Sequence, residues 1–81
     1  MGSIPITRSI LATSFVQIFI NGEPAEARDG ATVAELLIDM QMAGQRLAVE
    51  RNREIVPRSR WGGVRLVPGD RLEIVRAVGG G

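Results

Sequence analysis

The sequence contains no cysteine, no histidine, no lysine and no tyrosine. Without cysteine no disulfide can form, so nothing points to an oxidising compartment. The same absences remove the thiol nucleophile, the imidazole base, the Schiff-base amine and the phenol from the catalytic set. They also remove the soft ligands of a zinc or iron–sulfur site, so no metal is expected. Aromatic residues are scarce: two Phe and one Trp. All ten cations are Arg, set against nine acids and scattered among them for a net charge of +1. That pattern lacks the basic stripe with interleaved aromatics of a nucleic-acid binder. No run approaches the ~20 apolar residues of a membrane span. Met1 to Ser14 lacks a charged stretch followed by an apolar block, so it does not read as a signal peptide. A cytoplasmic protein is expected.

What is present fits one small folded domain. The chain has 81 residues, 44% hydrophobic and 23% charged. A domain of that size holds a core of about a dozen apolar side chains and has little room for a deep active-site pocket. Val16, Ile18 and Ile20 alternate with Gln17 and Phe19, predicting a strand over Val16–Ile20 with one buried face. Asn21-Gly22 is a strong hairpin signal, because both central residues of a type I′ turn need positive φ. The return strand runs over Glu23–Arg28, with Pro24 arguing for a sheet edge, and Asp29-Gly30 closes it.

Thr32-Val33-Ala34-Glu35 reads as a capping box. It opens a helix over Val33–Met42, with Val33, Leu36, Leu37 and Met40 on its core stripe and Gly44 ending it. Strands are expected at Leu47–Asn52 and Glu54–Val56, the latter stopped by Pro57. A turn of helix and a loop follow over Ser59–Gly63, then a short extended piece at Val64–Val67. Pro68-Gly69-Asp70 reads as a turn, and Arg71–Val78 as the last strand, with Leu72 and Ile74 on one face. The helix stripe and the sheet face must cover each other. The fold class is α+β, a ubiquitin-like β-grasp in the order ββαβββ, with one helix packed on one face of a mixed sheet. Residues 1–15 read as an arm, 16–78 as the domain and 79–81 as a flexible tail.

The tail carries the chemistry. Gly79-Gly80-Gly81 follows on the predicted strand and offers a carboxylate at Gly81. Without Cβ atoms, Gly79 and Gly80 can thread a channel that side chains would block. Five residues from Ala77 reach at most ~18 Å, enough to enter a partner's site while the body stays outside. A terminal carboxylate has a pKa of about 3.5, so it is ionised and a poor electrophile. Adenylation by a separate ATP-using enzyme would make it reactive toward sulfur. No residue of this chain is expected to be catalytic.

The stretches Gln17-Ile18-Phe19-Ile20-Asn21-Gly22, Thr32-Val33-Ala34-Glu35-Leu36-Leu37, Val49 to Arg58 (VERNREIVPR) with Trp61, Gly69-Asp70 and Gly79-Gly80-Gly81 resemble the ThiS family, the sulfur carriers of thiamin thiazole synthesis, and more broadly the ubiquitin-like modifiers. The resemblance covers Val16 to Gly81. It implies that a ThiF-like adenylyltransferase adenylates Gly81 with Mg-ATP. A persulfide from a cysteine desulfurase route then makes the thiocarboxylate, and ThiG, the thiazole synthase, takes the sulfur with deoxyxylulose phosphate as substrate. The chain is then a co-substrate that binds no cofactor itself. Arg51 departs from the family's usual apolar residue, so its strand is expected to be less buried there. The N-terminal arm has no family counterpart.

Phe19 and Val75 face away from the helix by alternation and form a candidate docking patch. Trp61 is expected as a lid on the core. Arg58 is expected in surface ion pairs, with partner docking as its alternative. A MoaD-like carrier for molybdopterin shares fold and tail and remains the alternative function. A plain β-grasp binding module and conjugation of Gly81 to target lysines are the other readings.

Overall fold

The computed structural model describes residues 14–77. The proposed N-terminal arm and the glycine tail, Gly79 to Gly81, lie almost wholly outside these residues. Strand β1 is Phe15–Ile20, β2 Glu23–Arg28, helix α1 Val33–Asp39, β3 Leu47–Arg51, β4 Glu54–Ile55 and β5 Arg71–Arg76, with a 3-10 helix at Arg58–Gly63 before β5. The sheet order is β2-β1-β5-β3-β4. The last strand lies in the middle, parallel to β1 and antiparallel to β3. This is the expected ββαβββ β-grasp.

The hairpin β1–β2 turns at Asn21 and Gly22, both at positive φ (53° and 86°). That is the backbone an Asn-Gly pair provides cheaply. Pro24 falls on edge strand β2, where its missing N–H costs no ladder bond. Strand β1 begins at Phe15, paired with Arg28, one residue earlier than the alternation implied. The Ser14 carbonyl accepts the Asp29 N–H at 2.8 Å.

Both arms of the capping box are present. The Thr32 hydroxyl accepts the Glu35 N–H at 3.2 Å, and the Glu35 carboxylate accepts the Thr32 N–H at 3.0 Å. The helix is shorter than its periodicity suggests and ends at Asp39. Gln41, not Gly44, closes it: Gln41 takes φ 62°, donating to the Ile38 carbonyl, and Met42 donates back to that of Leu37 at 2.8 Å. This is a Schellman closure with a non-glycine residue in the left-handed position. Met40 therefore sits at the cap and is exposed, while Met42 packs on the core. A bidentate Arg28–Asp39 contact (2.7 and 3.1 Å) ties the end of β2 to the end of the helix. Being solvent-exposed, it adds little to stability.

The core is one cluster between helix and sheet. Ile18, Val33, Leu37, Val49 and Leu72 are fully buried, with Leu36, Val56, Trp61, Leu66 and Ile74 around them. Trp61 caps it, donating its indole N–H to the Val56 carbonyl at 2.9 Å. The segment expected as an extended piece at Val64–Val67 joins no strand of the sheet. It pairs with the entry to α1 instead: Val33 donates to Val64, Leu66 donates to Ala31, and Arg65 bridges Thr32. Strand β3 stops at Arg51, because Asn52 and Arg53 both take positive φ in the turn to β4, and β4 is only Glu54–Ile55.

Truncating Leu36 to Ala should cost roughly 2–5 kcal/mol, a large share of the stability of so small a domain. Urea denaturation measures it, and an unchanged midpoint would place the Leu36 face in solvent.

Candidate functional site

The residues proposed to carry and deliver the reactive group, Gly81 with Gly79 and Gly80, lie outside the described residues. What the structure describes is the body that presents them, up to Ala77. On one side of β5, pairing with β3 continues to Leu47–Arg76, and the Ala77 N–H donates to the Arg46 carbonyl at 2.9 Å. On the other side, β1 pairs only as Phe19–Arg71 and Ile20–Leu72 before turning away at Asn21. Asn21 takes over there. Its N–H donates to the Leu72 carbonyl at 2.9 Å. Its side-chain Oδ1 accepts the Ile74 N–H at 3.0 Å, and its Nδ2 donates to the Ile74 carbonyl at 3.2 Å. One primary amide thus satisfies both backbone groups of a residue that has lost its strand neighbour.

At the start of β5, Asp70 is the buried charge of the described residues, at 3% exposure. Its Oδ2 accepts the Val67 N–H at 2.9 Å and the Arg51 Nε at 2.9 Å, and its Oδ1 accepts from Asn52 Nδ2 at 3.2 Å. Asn52 in turn accepts the Arg71 N–H at 3.0 Å. Burial pushes the Asp70 carboxyl up, but the Val67 N–H, then Arg51 and Asn52, outweigh it and hold it below its ordinary value. The Pro68-Gly69-Asp70 stretch is a turn as expected. That its carboxylate is buried and tied to three segments was not. The available signal was Arg51: a cation in an apolar strand needs an acidic partner.

Phe19 and Val75 both face away from the helix, but the fold does not bring them together. The Arg71 guanidinium lies over the Phe19 ring, 4.9 Å from its centroid. Val75 stands four residues further along β5, opposite Ala48, and is 57% exposed. At a strand rise of ~3.3 Å per residue the two are about 13 Å apart. Glu73 lies between them along β5, opposite Glu50 of β3. Arg58 stacks over the Trp61 ring at 5.2 Å, a cation–π contact where surface ion pairs were expected. A shallow groove of about 280 Å³ is lined by Arg51, Glu54, Val56, Pro57, Arg60 and Val64. Arg51 pairs with Leu72, so the groove lies at the opposite end of β5 from Ala77.

The model of the ThiS family matches residues 16–81. A stretch of thiazole synthase from Magnetococcus marinus is 41% identical over 66 residues, covering 82% of this chain and 20% of that protein. The chain thus spans about a fifth of the length of the thiazole synthases it matches. The sulfur carrier protein ThiS of Bacillus subtilis is 38% identical over 63 residues, covering 76% of this chain and 96% of its own. Among solved structures, a thiamine biosynthesis protein (ThiS) from Geobacter metallireducens superposes with a TM-score of 0.71 at 28% identity, covering 82% of this chain and all of that one. Among the described residues, no helix is long and apolar enough to cross a membrane.

The Asp70 carboxyl titrates lower in the folded chain than in the unfolded one. The charged form therefore stabilises the fold above about pH 4, and that contribution is lost as pH falls through the folded value. Asp70→Ala should lose about 1–3 kcal/mol at pH 7, because the Val67 N–H is left without its acceptor and the partly exposed Arg51 without its partner, and the difference from the parent chain should shrink in acid. Denaturant midpoints at pH 7 and pH 3 test this; a gap that stays the same at both would show that the charge on Asp70 is not what matters.

Proposed function

The chain belongs to the ThiS family, and from that premise we propose that it is the cytoplasmic sulfur carrier of thiamin thiazole synthesis, with Gly81 as the sulfur-bearing residue. It is a small carrier, a co-substrate of other enzymes and not a catalyst. The observation that carries the reading is that the family match runs through Gly79-Gly80-Gly81, on a body whose central strand ends at Arg76, just before them. The choice of thiamin over molybdopterin follows the relatives, which are named for thiazole synthase and thiamine biosynthesis.

The chemistry divides between this chain and its partners. Gly81 supplies a carboxylate oxygen that attacks the α-phosphorus of Mg-ATP in a ThiF-like adenylyltransferase, releasing pyrophosphate. A persulfide, supplied by a cysteine desulfurase route, attacks the acyl carbon and displaces AMP. Cleavage of its S–S bond by a thiol leaves the thiocarboxylate. A thiazole synthase of the ThiG kind then takes the sulfur. Thiazole synthases that contain a stretch similar to this chain support the pairing of carrier and synthase. Gly79 and Gly80 lie in the partner's channel, and the five residues from Ala77 reach up to ~18 Å. Val75, Phe19 under Arg71, and Arg58 on Trp61 are the docking residues of the body.

Intact mass after incubation with ATP, a ThiF-like adenylyltransferase and a sulfur source should rise by the exchange of one oxygen for one sulfur. Deleting Gly81 withdraws the carboxylate by ~3.5 Å, beyond the ångström or so that positioned chemistry tolerates. It should abolish ATP–pyrophosphate exchange without changing the thermal midpoint. Full exchange by the truncated chain would refute the assignment of Gly81.

A further inference from the structure

Asn21 does two jobs with two different parts of itself. Its backbone, at φ 53°, makes the turn with Gly22. Its side-chain amide does nothing for that turn. It reaches across to β5 and takes both the N–H and the carbonyl of Ile74. These bonds fall where the parallel pairing has run out, since β1 matches β5 only through Leu72. At Ile74 the β1 side of β5 is met by this one amide. The β3 side carries the strand on to Arg76, and Ala77 is bonded to Arg46. The end of β5 is thus gripped from two sides, and one grip is a single side chain.

We propose that Asn21 is a positioning residue for sulfur loading: its amide fixes the end of β5 and so sets where residues 78–81 leave the body. The inference rests on the sulfur-carrier reading of Gly81. Without the amide, β5 past Leu72 is held by β3 alone, and its last residues fray. The segment that a partner must hold in one conformation then lengthens by several residues, and each added residue costs backbone entropy in the productive complex. Docking of the body is untouched, because the outer face of the sheet keeps its residues. The loss therefore falls on turnover and not on association.

The amide can be removed without disturbing the turn. Asn21→Gly keeps the positive φ, which glycine adopts freely. Asn21→Asp also tolerates that φ and still accepts from the Ile74 N–H, but it cannot donate to the Ile74 carbonyl. The experiment is ATP–pyrophosphate exchange with a ThiF-like adenylyltransferase, with the carrier as varied substrate, well below the melting temperature of each variant. Both variants should lower kcat about tenfold, as expected of a displaced reacting group, with KM within about twofold of the parent. Amide hydrogen exchange should show faster exchange at Val75 and Ala77, whose N–H groups face β3, in both. At the Ile74 N–H it should be faster in Asn21→Gly and closer to the parent in Asn21→Asp. Parental kcat in both variants, even with a lowered melting temperature, would make Asn21 merely structural and overturn the proposal. A KM rise with unchanged kcat would also overturn it. If the parent chain supports no exchange, the carrier reading itself fails; if the parent does and the variants match it, only the role of Asn21 fails.

Discussion

Strand β5 must be satisfied along both of its edges, and the rest of the molecule is arranged around that demand. It is the last strand in sequence and the middle one in space, so its partners are made before it and lie far from it along the chain. A central strand with open edges would bury unpaired N–H and carbonyl groups, each costing about 1–3 kcal/mol. Strand β3 supplies one edge over nearly the full length of β5. Strand β1 supplies only two pairs, because it is consumed early by its own hairpin. The remainder is made up by side chains of turn residues: Asn21 at one end, Asn52 at the other, where it accepts the Arg71 N–H.

The buried carboxylate of Asp70 belongs to the same arrangement. Desolvating it is unfavourable, and the Arg51 contact alone would not offset that, since buried ion pairs are often no better than apolar replacements. What makes the site work is the number of donors. A backbone N–H, a guanidinium and a carboxamide converge on two oxygens. They come from the turn before β5, from the end of β3 and from the turn after it. The network thereby locks the register of β3 against β5, and with it the point at which β5 ends.

Much of this fold was legible in the residues, and the reasons are local. Asn21-Gly22, Thr32 with Glu35, and the alternation through Ile18 each specify a backbone geometry within a few positions. The helix end was misplaced because its closure puts Gln41, with no intrinsic preference for positive φ, where glycine is usual; only the packing of Met42 on the core explains it. The Val64–Val67 segment reads as a short extended piece, yet Val64 to Leu66 pair with the helix entry, a long-range choice that no local pattern encodes. The same limit applies to the site. The glycines of the tail could be read directly from the sequence. The second role of Asn21 and the burial of Asp70 depend on neighbours some fifty and twenty residues away, and neither turn residue looks unusual by itself.

Trp61 is the single tryptophan of a chain without tyrosine, so the near-ultraviolet light this protein emits comes almost entirely from one ring. That ring is 8% exposed, with its N–H bound to Val56 and Arg58 stacked over it. It is an optical gauge of the corner between β4 and the 3-10 helix, at the far end of β5 from Ala77. Its emission will register loss of the core at once and will respond far less to fraying of β5 at Arg76 and Ala77. In effect, one ring reports on the scaffold separately from the strand end.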